Sequence, residues 1–284
     1  MRRSCRAVAR DVVYCPDANG DIHRTHGPGE GDTIVAHSRP GTPIAAAPIG
    51  KDQVLMAYVE EGPTSEGAVR EAYALLDDGP PVRLSEDGSG GTFIQLASRG
   101  DEVLALILDA RVAMTPVHAR VLRVLGGKLE LGRDAVIFVG GAAERHTEAT
   151  LALGEDGRAI ALLGVANAFE GFGMAAVRLS DPPKDDEGVT WSAYPNGLDP
   201  APIAASRGIS PIRVARVRPS APMSDASRVL EVGELDSSGG FLPKCVLSES
   251  AYIKDVELDV DRQGALWLFW RDTRGSHFER RAMP

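Results

Sequence analysis

Cysteine, aromatic residues and long apolar runs are all scarce in this chain. Its 284 residues include three cysteines, and aromatic residues make up 5%. A chain of this length buries enough apolar surface to fold without disulfide bonds. Cys5 and Cys15 are close enough in sequence to pair, which would leave Cys245 over, but so few cysteines favour free buried thiols.

The chain also lacks an excess of positive charge. Its formal net charge is −9 at pH 7, which argues against a nucleic-acid partner because binding phosphates requires a basic surface. No apolar run reaches the roughly 20 residues of a membrane span. The N-terminal segment MRRSCRAVARDVV is basic but has no apolar segment or cleavage site typical of a signal peptide. We therefore expect a soluble monomer that is either cytoplasmic or, if a signal was trimmed, extracytoplasmic.

Helical periodicity is nearly absent, whereas turn residues are abundant. The 31 Gly and 19 Pro are spread along the chain, which favours many short strands. The best helix candidate is SEGAVREAYALL at 65–76, with Ser65 in the capping position. Its neighbours, however, have the patterns of strands, and the repeats described next favour a strand here as well.

A glycine turn between two apolar runs recurs five times. In each unit a third strand follows, and in the first four units a fourth. Four strands in about 40 to 50 residues, repeated along a chain, are typical of β-propeller blades. The turn glycines are Gly50, Gly100, Gly157, Gly208 and Gly264.

The two ends of the chain complement each other in this pattern. The last unit stops after its third strand, whereas residues 1–40 contain strand segments without a full repeat. We therefore predict a single all-β domain over 1–284, in which 1–40 form a partial blade and supply a strand that closes the last blade. Six four-stranded blades are favoured over five.

The segment KDDEGVTW contains a recognisable pattern. Asp186, Gly188, Thr190 and Trp191 spell D-x-G-x-T-W. This resembles the Asp-box of the sialidase and BNR-repeat superfamily, with Lys184 where that pattern has Ser. The resemblance implies a hairpin between the third and fourth strands of a blade. In it the Asp would cap its own turn, the Gly would supply a positive φ, and the Trp would pack beneath the sheet.

A second motif pairs an Asp with an Arg two residues later. Asp272 with Arg274, and Asp109 with Arg111, each follow a predicted second strand. The former lies in WRDTRG, which is similar to the W-x-D-x-R-x-G repeats of bacterial secreted propellers. The favoured interpretation is structural, with the Asp accepting loop amides and the Arg bracing it. The alternative is that these charges line a ligand cleft.

Loop length points to one end of the predicted sheets. The connections between second and third strands, and those leading from one unit to the next, are longer than the turns at the other end. Long loops on a rigid scaffold are where binding residues usually lie. The candidate ligand-binding residues at this long-loop end are Asp109, Arg111, Arg145, His146, Phe169, Phe172, Tyr194, Asp272 and Arg274.

The sialidase resemblance does not extend to a catalytic set. That family's chemistry needs three Arg, a Tyr–Glu nucleophile and an Asp acid. Tyr194 and Tyr252 fall near the long-loop end, with Glu148 and Glu249 in neighbouring segments, but no F/Y-R-I-P motif is present. We therefore predict a non-catalytic module that binds a protein or a carbohydrate. The alternative is a sialidase-like or other glycoside hydrolase with its site in an axial cleft, where two-carboxylate chemistry is one possibility.

Metal and cofactor motifs are also missing. His23 and His26 are three residues apart, which places them on opposite faces of a strand. We expect these two and His37 to be solvated turn residues, and DANGD at 17–21 to be a turn. No P-loop or dinucleotide fingerprint occurs, so we expect neither a metal nor a cofactor.

Overall fold

Every regular element of the structure, a computed structural model, is a β-strand. The all-β prediction is therefore confirmed for the residues that the structure describes, and none of their segments forms a helix that could span a membrane. These residues are 7–9, 11–26, 31–38, 44–64, 67–85, 91–109, 116–139, 144–167, 171–193, 203–207, 209–221, 227–260 and 265–282.

The strands form six antiparallel sheets in chain order. Strands that follow each other in sequence are neighbours in a sheet, except that β13 pairs with β11. The first sheet contains β1 (Ala7–Ala9), β2 (Val12–Pro16), β3 (Asp21–Thr25) and β4 (Thr33–His37), and the second β5 (Ala45–Ile49), β6 (Gln53–Thr64), β7 (Gly67–Leu76) and β8 (Val82–Arg83). The third contains β9 (Gly91–Arg99), β10 (Glu102–Asp109), β11 (Pro116–Leu125), β12 (Lys128–Leu131) and β13 (Ala135–Val139). The fourth contains β14 (Glu144–Leu153), β15 (Ala159–Asn167), β16 (Gly171–Leu179) and β17 (Val189–Ala193), and the fifth β18 (Ile203–Ala205), β19 (Arg213–Pro219), β20 (Arg228–Leu235) and β21 (Phe241–Ser250). The sixth contains β22 (Ile253–Val260), β23 (Leu266–Asp272) and β24 (Gly275–Arg281).

The chain divides into two compact units, 1–139 and 140–284. Each unit contains three of the six sheets. Within the first unit, the first strand of each sheet contacts the first strand of the next, β1 with β5 and β5 with β9. The second unit repeats this arrangement with β14, β18 and β22. The sheets of one unit therefore share a row of first strands.

Consecutive sheets within a unit pack face to face. Strand β10 has the sequence EVLALILD, and all its residues from Val103 to Asp109 are buried. Successive residues of a strand point to opposite faces, so both faces of this sheet are covered. Val103, Ala105 and Ile107 belong to the apolar cluster that joins the second and third sheets. Burial on both faces explains why the second strands are continuous apolar runs and do not alternate.

The predicted turn glycines occupy the turns between first and second strands. Gly50, Gly100 and Gly157 have φ values of 57°, 61° and 79°. Glycine adopts this left-handed conformation at little cost because it has no Cβ. Gly208 and Gly264 lie outside the described residues.

Three sequence expectations concern particular segments. Residues 67–76 form strand β7, as the repeats predicted over the helix pattern. Strands β1 to β4 form a four-stranded sheet of their own, in place of the partial blade that was expected. Closure of the sixth sheet by an N-terminal strand stays a prediction, as does the single domain.

The cysteine prediction is wrong for Cys15, which forms a disulfide bond. Cys245 is a free thiol, as predicted. A low cysteine count favours free thiols only on average, and it gives no information on which side chains the fold brings together. Cys5 lies outside the described residues.

Candidate functional site

The Asp-box segment lies in the hairpin between β16 and β17. These are the third and fourth strands of the fourth sheet, the place that the resemblance implies. The two strands pair from Gly173 with Ala193 to Val177 with Val189.

Glu187, and not Asp186, organises this hairpin. The side chain of Glu187 is buried, and its carboxylate accepts hydrogen bonds from the Ser180 amide (2.7 Å), the Ser180 hydroxyl (2.9 Å) and the Lys184 amide (3.1 Å). Asp186 is exposed and takes the positive φ, 57°, which was expected of Gly188. The predicted roles of Asp186 and Gly188 are therefore wrong, because the loop buries Glu187 and leaves Asp186 in the left-handed conformation.

Trp191 and Thr190 connect this hairpin to its surroundings. Trp191 is half-buried against Gly173, where a Cβ would lie 2.5 Å from the indole Cζ2. The Thr190 hydroxyl donates a 2.6 Å hydrogen bond to the Ser238 carbonyl in the fifth sheet. The motif therefore has a structural role, which is to fasten the fourth sheet to the fifth.

A more regular Asp turn lies in the next sheet, at a position that the sequence analysis did not single out. The Asp236 carboxylate accepts hydrogen bonds from the amides of Ser238 (2.7 Å) and Gly240 (2.9 Å). Hydrogen bonds from the Ser238 hydroxyl and from the Gly240 amide hold the pKa of Asp236 below its usual value. Asp17 binds the amides two and four residues ahead in the same way. The available signal was an Asp followed by Gly three residues later, which both turns contain.

The Asp272–Arg274 pair lies in the hairpin between β23 and β24. The Asp272 side chain is fully buried and accepts hydrogen bonds from the Arg274 amide (2.7 Å), Arg274 Nη2 (2.8 Å) and His277 Nε2 (2.8 Å). The Ser248 hydroxyl of the fifth sheet donates another at 3.3 Å. The hydrogen bond from the Arg274 side chain is the main reason that the pKa of Asp272 lies well below its usual value. This geometry matches the structural interpretation of the D-x-R pair.

An exposed aromatic ring lies in the connection that follows β21, whose last residue contacts this hairpin. The Ser250 and Thr273 hydroxyls are hydrogen-bonded at 2.8 Å, which joins the end of β21 to the hairpin. Tyr252 follows in the connection to β22 and is 45% exposed, and the Lys254 ammonium lies 5.1 Å from the centre of its ring. We call Ser250, Tyr252, Lys254, Thr273 and Arg274 the Tyr252–Arg274 site.

The polar side chains of this site are oriented by the Asp272 carboxylate. Ser248 and His277 both contact Asp272, and the carboxylate stands between them, whereas an activated serine needs the histidine as its direct partner. A general acid needs a raised pKa, and that of Asp272 is lowered. The site therefore offers a fixed guanidinium, an ammonium, hydroxyls and an aromatic face.

The other predicted site residues are only partly described. Asp109 is buried at the end of β10, which is the same position that Asp272 takes at the end of β23. Arg145 and His146 belong to β14 and Phe172 to β16, but their side chains are outside the described part of the structure. Of the predicted site residues, the described part of the structure therefore brings together Asp272 and Arg274. Arg111, Phe169 and Tyr194 lie outside the described residues.

The expectation for His23 is wrong. This residue lies in β3 and is 8% exposed, with Nδ1 at 3.1 Å from Asp32 and Nε2 at 3.5 Å from Asp17. The DANGD turn supplies Asp17, so the turn that the sequence predicted carries the carboxylate that faces the buried ring. His26 and His37 are exposed, as expected. Over the stretches that the structure describes, no group of three or more His, Cys, Asp or Glu side chains could hold a metal ion.

One carboxyl group has its pKa shifted upward. Partial burial and the like charge of Asp255 raise the pKa of Glu257, in the first strand of the sixth sheet. A raised carboxyl pKa beside a second carboxylate is a common feature of hydrolytic sites, although structural groups show it as well.

Comparison with known proteins identifies the fold but no family. No protein-family model matches the chain, and no curated protein matches it. Its structure is similar to that of the subtype N10 neuraminidase-like protein of A/little yellow-shouldered bat/Guatemala/060/2010, with a TM-score of 0.56, 8% identity, and coverage of 98% of this chain and 94% of the other. A protein of unknown function from Dyadobacter fermentans gives a TM-score of 0.52 at 10% identity, with coverage of 95% and 83%. The six-bladed β-propeller lectin of Aleuria aurantia gives 0.47 at 11% identity, with coverage of 94% and 89%. The fold of this chain is therefore all-β and similar to that of the neuraminidase-like protein.

Proposed function

We propose that this chain is a propeller binding module whose Tyr252–Arg274 site contacts a carbohydrate without converting it. The observation that carries the proposal is the exposed Tyr252 ring, which lies below the Lys254 ammonium and two residues after Ser250, whose hydroxyl is hydrogen-bonded to Thr273. The six sheets are then six blades, and the KDDEGVTW hairpin is a variant Asp-box.

The composition of the site suits a sugar better than a protein surface. The C–H face of a pyranose packs on an aromatic ring, and its hydroxyls need donors and acceptors that are already oriented. Tyr252 supplies the ring, while Ser250, Thr273 and Arg274 supply the polar groups. A protein partner, which the sequence left open, would favour a larger apolar patch.

The state of Asp272 supports binding over catalysis at this site. Its carboxylate is committed to Arg274, His277 and Ser248, and its pKa is lowered. Such a group orients its neighbours and does not deliver a proton at neutral pH.

The disulfide bond of Cys15 bears on where such a module would work. Disulfides persist in oxidising compartments and are rare in the cytosol. Together with the proposed sugar ligand, the bonded Cys15 supports an extracytoplasmic location.

Glycan-array screening followed by calorimetry tests the proposal. The wild-type chain should bind a defined set of glycans, and Tyr252→Ala should weaken that binding by about tenfold or more, since a buried aromatic contact contributes about 1 to 3 kcal/mol. Phe278→Ala is the matched control because Phe278 is also an exposed ring on the sixth sheet. If Tyr252→Ala binds every glycan as tightly as the wild type does, the site is elsewhere.

Glycoside hydrolysis is a second candidate, which the raised pKa of Glu257 favours. In that case Glu257 would act as the general acid and Asp255 as the second carboxylate. A panel of nitrophenyl glycosides should then be cleaved by the wild type, with activity lost in Glu257→Gln. Equal turnover by the variant would exclude Glu257 from this role.

A further inference from the structure

We propose that Lys254 caps the Tyr252 ring in the free protein and competes with the carbohydrate for it. This inference rests on the carbohydrate binding proposed above and adds how access to the ring is controlled. The cap is a cation–π contact, which a sugar has to displace before it can pack on the ring.

Tyr252 and Lys254 project from the same side of the chain. Strand β22 begins at Ile253, so Tyr252 lies just before the strand and Lys254 is its second residue. Side chains two residues apart on an extended chain lie on one face. The Lys254 ammonium lies 5.1 Å from the centre of the Tyr252 ring, within the limit of about 6 Å for a cation–π contact. The contact spans three consecutive residues, so it can form and break without any movement of the fold.

The charges around Lys254 direct its ammonium towards the ring. Arg271 lies directly opposite Lys254 on β23, and like charges in that position repel each other. The acid that follows Lys254, Asp255, is paired with Arg271 at 3.1 Å. Among the described residues, no carboxylate forms an ion pair with Lys254, whereas the Tyr252 ring contacts it. The ring is therefore the partner that the structure gives this cation.

The Tyr252 ring has room for one such partner at a time. The residue is 45% exposed, whereas a ring with both faces in solvent would expose more than half of its surface. A cation and the C–H face of a pyranose both pack on the electron-rich face of an aromatic ring. Lys254 and a sugar therefore compete for the same face of Tyr252.

Removal of the cation should then strengthen carbohydrate binding. A cation–π contact at an exposed site changes an equilibrium by about two- to fivefold, so Lys254→Gln should bind a saccharide about two- to fivefold more tightly than the wild type does. Lys254→Arg keeps a cation at this position and should not show the gain. A lysine that donated a hydrogen bond to the sugar would give the opposite sign, because its loss would weaken binding.

Calorimetry with neutral saccharides measures the effect. The probes are cellotetraose, mannotetraose and galactotetraose, together with any neutral glycan that the array selects, each titrated into the full chain. Because these probes carry no charge, the loss of one positive charge does not alter their attraction at long range. Lys244→Gln is the matched control, since Lys244 is an exposed lysine of β21 that pairs with Glu234. Melting curves check that each variant folds.

The cap can also be measured without a saccharide. The chain has five lysines, so isotope-labelled lysine gives few side-chain signals in an NMR spectrum, and the signal that Lys254→Gln lacks is that of Lys254. Protons above an aromatic ring are shifted upfield by its ring current. We expect an upfield Lys254 Hε signal in the free protein, which Tyr252→Ala abolishes and a saturating saccharide moves to the position of the other lysines.

Three outcomes would overturn the inference. A Lys254 signal at the position of the other lysines in the free protein would refute the cap. Saccharide binding by Lys254→Gln that is equal to or weaker than that of the wild type would refute the competition and leave carbohydrate binding in place. Failure of every saccharide, including those of the array, would refute carbohydrate binding itself and the competition with it.

Discussion

Replacement of Glu187 should destabilise the β16–β17 hairpin, whereas replacement of its neighbour Asp186 should not. Glu187→Ala removes an acceptor of three hydrogen bonds from Ser180 and Lys184. A hydrogen bond to a charged group contributes about 1.5 to 3 kcal/mol. Lys184 is exposed, so water replaces its bond, but Ser180 is partly buried and is left without an acceptor. We expect a loss of about 2 to 3 kcal/mol in the free energy of unfolding.

Asp186→Gly is the matched variant in the same loop. Asp186 is exposed and has a φ of 57°, a conformation that glycine adopts without strain. Its free energy of unfolding should therefore change by less than about 0.5 kcal/mol. The Asp-box resemblance makes the opposite prediction, because it assigns the capping role to this Asp.

Thermal unfolding followed by circular dichroism separates the two expectations. One kcal/mol corresponds to about 2 to 4 °C for a chain of roughly this size, so Glu187→Ala should melt about 4 to 12 °C below the wild type and Asp186→Gly close to it. A larger drop for Asp186→Gly than for Glu187→Ala would refute the role of Glu187.

Three further measurements test other contacts. Trp191 is half-buried, so Trp191→Ala should cost about 1 to 2 kcal/mol in free energy of unfolding and not the 3 to 5 of a core tryptophan. Gly173→Ala should clash with the indole and with the Ser192 carbonyl, so the double variant with Trp191→Ala should recover only part of the lost stability. Because the pKa of Asp272 is lowered, its stabilisation is full above the unfolded value of about 4 and is lost as the pH falls; the melting deficit of Asp272→Asn should shrink below pH 4, and a constant deficit would contradict this account. Burial raises the pKa of Tyr14 to about 12, so its contribution is present below the unfolded value of about 10 and is lost as the pH rises through 12. Tyr14→Phe should be near neutral at pH 7 and less sensitive to alkali, and equal alkaline loss in both proteins would count against it.

The strands and tight turns could be predicted from the sequence because local chemistry determines them. Continuous apolar runs such as β10 indicate strands covered on both faces, and Gly50 and Gly100 mark positions that need a positive φ. These signals reside in a few adjacent residues. The number of sheets followed from the five repeat units and the strand segments that precede them.

The site could not be predicted in the same way, because distant segments build it. Asp272 and Arg274 were singled out, but the pairing of Ile253 with Asp272 is what brings the connection after β21 to this hairpin. The local pattern also gave the wrong residue in the Asp-box loop. The path of the backbone there decides that Glu187, and not Asp186, points inward. His23 is buried for a similar reason, since Asp17 and Asp32 approach it from outside its strand.

Burial on both faces of the sheets also bears on how such sequences diverge. The faces of β15, for example, are filled by Ala161, Leu162, Leu163 and Val165, all almost completely buried. Aliphatic residues of similar volume substitute for one another in such layers at modest cost. Descendants of one ancestor can therefore exchange nearly every interior side chain while the sheets keep their stacking. A fold can therefore persist after the sequences have diverged, and the neuraminidase-like structure shares the fold of this chain at 8% identity and a TM-score of 0.56.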